Sequence, residues 1–296
     1  MYDIVVLTEK AYINPKKADW YVQQVLDEDN YVLEALSRAG FSVCKKAWCD
    51  PEFDWGSTKA VMFRTTWDYF DRYAEFSVWL QEVSKTCALI NSAELIDWNI
   101  DKRYLLELQK KGVNVASTQL LEKGSSVQLA QKFASTGWSE AVLKPVVSGA
   151  ARHTYRITTD NVAEHQEILE KLLTEEHMFL QEFLNDIVEF GEISLMFMGG
   201  VFTHAIRKIA KSGDFRVQDD HGGRVVSHLA SAEEIAFGGR AIAACPELPT
   251  YARVDIVRDN SGELSICELE LIEPELWFRE NPAAADELAK ACLNLV

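Results

Sequence analysis

The chain has no run of about 18 apolar residues, the length a helix needs to cross a bilayer, so no membrane span is expected. Basic residues are scarce. Thirty Lys and Arg stand against 46 Asp and Glu, a formal net charge of -16. Such a chain has no electrostatic reason to seek nucleic acid or anionic membranes, and neither is an expected partner. A few converging Lys and Arg, with a metal, leave a small polyanion open. The six cysteines (Cys44, Cys49, Cys87, Cys245, Cys267, Cys292) include no C-x-x-C pair. Disulfides and a zinc site are not expected, and a reducing cytoplasm fits. Met1-Tyr2-Asp3-Ile4 carries no basic n-region before an apolar stretch, so no secretory leader is expected. Internal repeats, low-complexity segments and Ser–His–Asp or Cys–His arrangements are absent.

What is present is a 296-residue chain, 48% apolar and 26% charged, long enough for two or three lobes. Its first ninety or so residues alternate strands and helices. Ile4–Leu7, Phe41–Val43, Ala60–Phe63 and Cys87–Ile90 read as strands. Tyr31, Val32, Ala35, Leu36 and Ala39 recur at helical spacing and stop at Gly40. Phe76, Trp79, Leu80 and Val83 make a second helical stripe. This alternation predicts a small, mostly parallel sheet, and an α/β class.

The middle carries helices over Lys102–Lys111, Ser126–Ala134 and Asn161–Leu173, the last opened by Asp160 as N-cap. Between the last two lies the strand Ala141–Lys144. The final third is strand-rich. Met178–Phe183 precedes Ile193–Met198 and Val201–Ile209, joined by Gly199-Gly200, a pair suited to a hairpin turn with positive φ twice. Ser231-x-x-Glu234 is a capping box opening a helix to about Ala244. Tyr251–Val257 and Leu264–Leu271 form a second hairpin across Asn260-Ser261-Gly262.

That hairpin concentrates carboxylates. Side chains alternate along a strand, so Arg253 and Asp255 share one face, and Glu268 and Glu270 share one face of the partner strand. Three carboxylates meeting on one face require a cation, and Mg²⁺ prefers oxygen ligands. A solvated face would tolerate the same residues. Lys144, just before Pro145, ends an apolar run and needs either solvent or an anion. Ser148-Gly149-Ala150-Ala151 can act as a flexible turn or bring backbone N–H groups close to phosphate. A strand ending in Gln181-Glu182-Phe183-Leu184 can offer groups to an adenine edge.

These pieces follow one order: Lys102 on a helix, Lys144, the small-residue loop, Gln-Glu-Phe-Leu, an acidic residue, a basic strand, Gly213-Asp214-Phe215-Arg216, then Asp255 with Glu268-x-Glu270. The order resembles the ATP-grasp superfamily, in the branch of glutathione synthetase and the ribosomal-protein glutamate ligase. Arg64-Thr65-Thr66-Trp67-Asp68-Tyr69 and Glu268-Leu269-Glu270-Leu271-Ile272-Glu273-Pro274 look like the D-cycloserine synthetase-like group. The resemblance spans nearly the whole chain.

It implies an ATP-grasp fold with α+β lobes. A small parallel-sheet domain would cover about 1–95 and the ATP-grasp domain about 96–296. Within the latter, a lid lobe would cover about 113–182 and an antiparallel-sheet lobe about 183–296. The implied activity is an ATP-dependent ligase that makes an acyl phosphate from a carboxylate and couples it to an amine, or closes a ring within one molecule. The implied cofactors are ATP and two Mg²⁺, with Mn²⁺ a substitute. The implied partner is a small amino-acid-like substrate, and relatives often form dimers or tetramers, a homodimer among them.

The resemblance also distributes roles. Lys102 and Lys144 would contact phosphates, with Ser148 and Gly149 in the loop over them. Glu182, Phe183 and Leu184 would form the adenine hinge. Glu192 would lie near the ribose, with Glu189 its rival. Lys208 and Arg207 would face the triphosphate. Arg216 would stabilise the acyl phosphate. Asp255, Glu268 and Glu270 would hold metal. Arg64 would take a substrate carboxylate and Asp68 an amine, with His221 and Gly222 in a loop touching substrate. Glu270 stands where many relatives have Asn, which adds negative charge and implies tighter divalent binding. The loop Ser148–Ala151 is less glycine-rich than in many relatives.

Overall fold

The computed structural model describes residues 1–149, 152–211, 213, 217 and 222–295. Strands β1 (Tyr2–Thr8), β2 (Val43–Ala47), β3 (Thr58–Thr65) and β4 (Ala88–Ile90) form a parallel sheet in the order β2-β1-β3-β4. Parallel neighbours need long crossovers, and helices α1 (Trp20–Arg38) and α2 (Tyr73–Thr86) supply two of them. The Asp19 carboxylate accepts from the Val22 N–H at 2.9 Å to start α1, and Gly40, at φ 96°, follows its end. Helices α3 (Ala93–Asn99) and α4 (Tyr104–Lys110) lead out of this sheet.

The second sheet is antiparallel, in the order β5-β8-β6-β7. Its strands are β5 (Thr118–Leu121), β6 (Glu140–Pro145), β7 (Tyr155–Thr158) and β8 (Met178–Glu182). Helices α5 (Leu129–Thr136) and α6 (Val162–Glu175) cover it, burying Phe133, Leu169 and Leu173 against Leu143 and Ile157.

The third sheet is also antiparallel, in the order β11-β10-β9-β12-β13. Its strands are β9 (Glu192–Met198), β10 (Val201–Ile209), β11 (Arg224–His228), β12 (Tyr251–Arg258) and β13 (Leu264–Glu270). The short helix α7 (Asp186–Glu189) precedes it, α8 (Ala232–Ala243) covers one face, and α9 (Ala283–Cys292) packs on α1. The capping box of Ser231 and Glu234 is present at α8. Gly199 and Gly200 both have positive φ, as the hairpin turn requires.

The first and third sheets share a core. Ile4, Met62 and Ile90 meet Met196, Ile206 and Tyr251, all nearly inaccessible to solvent. Burying each such side chain contributes about 1.5–3 kcal/mol. Polar groups stitch the same junction. The Tyr251 hydroxyl lies 3.0 Å from the Phe63 carbonyl and 2.8 Å from that of Ile272. Asn91 donates to the carbonyls of Tyr251 and Leu271 and accepts from the Thr250 N–H.

Several local expectations shift. Lys102 is not on a helix. It sits in the turn before α4, where its N–H donates to the Val146 carbonyl at 2.8 Å. The N-cap position of α6 is Asn161 rather than Asp160, and its side chain makes no capping bond but turns back to accept from the Thr158 N–H at 2.7 Å. Strands β5, β7 and β11 are short and partly polar, and pairing with a neighbour rather than local apolar pattern defines them.

Candidate active site

The β12–β13 register places Asp255 opposite Glu268 and Arg253 opposite Glu270. Cross-strand partners share a face, so the expected carboxylate cluster forms. Oxygens of Asp255, Glu268 and Glu270 lie within 4.8 Å of one another. Each carboxylate has a cation against it. Lys102 pairs with Glu268, Arg253 with Glu270, and Asp255 takes Arg253 and Lys208 at 2.9 and 3.1 Å. Ser194 donates to Asp255 at 2.6 Å.

The electrostatics follow from these pairs. Burial would raise Asp255, but Arg253 and Lys208 outweigh it and hold the carboxyl down at about 2. Burial likewise opposes ionisation of Glu268, and Lys102 and Lys144 win, lowering it. Burial with the neighbouring Glu268 and Asp255 pushes Glu270 up to about 7 against the pull of Arg253. Lys208 is raised because Asp255 and Glu192 overcome its burial. The three carboxylates are a hard-oxygen donor set already neutralised by cations, and they fit Mg²⁺.

Glu268, Glu270, Lys102, Lys144 and Lys208 line a cavity of about 450 Å³ between the second and third sheets and the loop after β3. Asp255 lies beneath this layer, 1% exposed. The Lys144 side chain makes no hydrogen bond or ion pair among the described residues, and burial lowers its ammonium. It is a cation facing the cavity with its donors open. Ser148 and Gly149 line the same wall. A Cβ on Gly149 would lie 2.6 Å from the Phe70 ring, so the absence of a side chain permits this close approach.

The hinge segment closes the cavity's far end. The Glu182 and Phe183 N–H groups are already engaged, donating to the carbonyls of Ser117 and Glu140 at 2.8 and 3.1 Å. Leu184, buried and on the cavity wall, is the hinge residue whose N–H has no partner among the described residues. Glu192 lines the cavity and pairs with Lys208, while Glu189 is exposed at the end of α7.

Other expected residues stand elsewhere. Arg207 is next to Lys208 on β10, so its side chain takes the opposite face and lies over the Phe190 ring at 4.5 Å. Arg64 does not reach the cavity. It is 1% exposed, over the rings of Tyr251 and Phe278, and none of its guanidinium nitrogens has a hydrogen-bond partner among the described residues. Asp68 is turned into the N-terminal sheet, where it accepts from Trp48 at 2.7 Å and Arg72 at 2.6 Å. Gly222 is exposed and off the cavity wall. Arg216 and His221 fall outside the described residues.

Two of the cavity-wall residues without an assigned role interact with Glu270. Arg253 is one, and its spacing two before Asp255 was the available signal. Glu273 is the other, held by a side-chain hydrogen bond from Tyr69. Burial and the nearby Glu270 push its carboxyl up to about 8.

Fold and site together are those of an ATP-grasp enzyme. Residues 4–91 match the N-terminal domain of D-cycloserine synthetase DcsG, and residues 108–245 match the ATP-grasp domain of prokaryotic glutathione synthetase. The cycloserine biosynthesis protein DcsG of Streptomyces lavendulae is 32% identical over 277 residues, 88% of this chain and 91% of that protein. The crystal structure of D-cycloserine synthetase DcsG superposes with a TM-score of 0.87 at 26% identity, covering 99% of both chains. A RimK domain ATP-grasp protein from Sphaerobacter thermophilus DSM 20745 gives 0.69 at 15% identity, over 98% of this chain and 99% of that one, a likeness of fold alone. The chain belongs to the D-cycloserine synthetase DcsG family of ATP-grasp enzymes. It is an ATP-dependent carboxylate–amine ligase that uses ATP and Mg²⁺. No helix among the described residues is long and apolar enough to cross a membrane.

Proposed function

We propose that the enzyme phosphorylates the carboxylate of a small amino-acid-like substrate with ATP, then couples the acyl phosphate to an amine, releasing ADP and phosphate. The observation that carries this is the convergence of Lys102, Lys144 and Lys208 with the three-carboxylate cluster on one cavity.

In this reading, the Leu184 N–H receives the adenine edge, with Glu182 and Phe183 shaping the hinge. Glu192 meets the ribose. Lys144, Lys102 and Lys208 offset phosphate charge, and Ser148 and Gly149 close over it. Asp255, Glu268 and Glu270 hold two Mg²⁺, for which Mn²⁺ substitutes. When bound, the metal neutralises phosphate oxygens during transfer. The protein's own task is positioning and charge neutralisation, with little covalent work. Arg253 and Arg216 stabilise the acyl phosphate and its tetrahedral successor. Asp68 is engaged elsewhere, so the acceptor for the amine is Glu273, on the cavity wall beside Glu270.

A second reading is ring closure within one substrate. It is favoured by the likeness to a protein named D-cycloserine synthetase. Closure and ligation share the same ATP site. The division at about residue 95 and the lid lobe of about 113–182 are supported by the limits of the three sheets. A cytoplasmic location is supported by six free cysteines. A homodimer is the assembly to test by sedimentation.

The testing experiment is calorimetry with AMP-PNP, with and without Mg²⁺, on wild type and Lys144→Ala. Magnesium-dependent binding that the substitution weakens supports the site, and amino acids and their derivatives are then screened for ADP release. Absence of binding by wild type defeats the proposal.

A further inference from the structure

Trp277 holds a backbone conformation that L side chains rarely adopt, φ 47°. Its side chain is 3% exposed. A bulky residue stays in this region only where its surroundings over-determine it, and such strain concentrates at functional positions.

The surroundings here are specific. The segment 273–278 is clamped at four points. The Trp67 indole N–H donates to the Glu273 carbonyl at 3.0 Å. Arg253 donates to the Glu275 carbonyl at 3.4 Å. His204 Nε2 meets the Leu276 carbonyl at 2.9 Å, and the Phe278 N–H donates to the Glu28 carboxylate at 2.9 Å. The clamps come from the loop after β3, from β12, from β10 and from α1. Both halves of the molecule therefore hold the residues on either side of Trp277.

What the clamped segment presents is an aromatic ring. The Arg253 guanidinium carbon lies 5.2 Å from the Trp277 ring centroid, and the Lys208 ammonium lies 5.7 Å from it. These two cations flank the same buried carboxylate, Asp255, and repel each other. An indole face attracts both, most strongly where water is excluded. Both cations thus lie between the carboxylate they share and the indole ring.

We propose that Trp277 is a positioning residue for nucleotide binding, its indole holding Lys208 and Arg253 together toward the triphosphate. This rests on the reading of Lys208 as a phosphate cation. Trp277 touches no reacting atom in this account. It acts through the two cations, and the left-handed backbone is the geometry that brings its ring to them.

The test is Mg²⁺-dependent AMP-PNP affinity, by calorimetry, in W277F and W277L. Both variants inherit the same backbone strain, so their difference reports the aromatic face. W277F should stay within about threefold of wild type, and W277L should bind about tenfold more weakly, the scale of a desolvated cation–π contact. Equal affinity in the two variants, or losses that merely track their melting temperatures, would overturn the proposal. If W277L does not melt cooperatively, W277Y and W277M form the replacement pair with the same expected order. Failure of wild type itself to bind AMP-PNP would instead overturn the nucleotide site, and this proposal with it.

Discussion

Arg253 and Glu270 face each other across β12 and β13 and form an ion pair at the floor of the cavity. The pair changes the meaning of a glutamate where many relatives have Asn. Taken alone, Glu270 adds one negative charge to the metal site. In the fold, Arg253 offsets it.

The ranking of the metal ligands follows. Asp255 is the most buried carboxylate of the cluster and takes two cations and a serine hydroxyl. Asp255→Asn should weaken the Mg²⁺ dependence of AMP-PNP binding by more than about tenfold, since charged ligands dominate hard-cation affinity. Glu270→Asn should weaken it less, because the change removes one negative charge but keeps an amide oxygen at a position where many relatives carry Asn. Magnesium titrations of both variants at fixed nucleotide give the order, and the reverse order would contradict it.

Glu273 gives a prediction specific to the amine. Glu273→Gln keeps the shape and loses the proton-accepting carboxylate. Turnover with the amine substrate should fall by about 10²-fold, the scale of a positioned proton acceptor, while AMP-PNP affinity stays near wild type. Steady-state ADP release and calorimetry separate the two effects. Unchanged turnover would remove Glu273 from the proposed chemistry.

Glu28 sets a pH dependence of stability. It is 3% exposed, and burial, with Glu275 adding to it, pushes its carboxyl from 4.5 to about 7. Between those values the native state keeps a proton that the unfolded chain has released. Stability therefore falls as pH rises through that window, and the loss is complete above it. Glu28→Gln keeps an acceptor for the Phe278 N–H and removes the titration. Melting temperatures taken from about pH 5 to about pH 8 should decline less in the variant than in wild type. Parallel declines would refute the assignment.

Asn91 tests the junction between the sheets. It is 1% exposed and satisfies the Thr250 N–H and the carbonyls of Tyr251 and Leu271. Asn91→Ala leaves all three without that partner, the two carbonyls fully buried, and should destabilise the protein by about 3 kcal/mol. Denaturant midpoints measure this. A loss under about 0.5 kcal/mol, the range of ordinary surface changes, would show that the junction is held elsewhere.

Much of this protein is determined by local sequence. Alternation along a strand puts Glu268 and Glu270 on one face whatever the rest of the chain does. Two adjacent glycines dictate the β9–β10 turn, and Ser231 with Glu234 dictates the start of α8. The order of lysines, hinge and acidic hairpin suffices for the family, because each piece is a short local pattern. Tertiary structure decided what depends on a partner distant in the chain. The β12–β13 register set Asp255 against Glu268 and Arg253 against Glu270. The carbonyls of Ser117 and Glu140 occupied two hinge donors and left Leu184. Packing of the first sheet on the third buried Arg64 under Tyr251, and four clamps from both halves of the molecule forced Trp277 beneath two cations. Spacing along the chain fixes the direction of a side chain, whereas its partner is fixed only when distant segments meet.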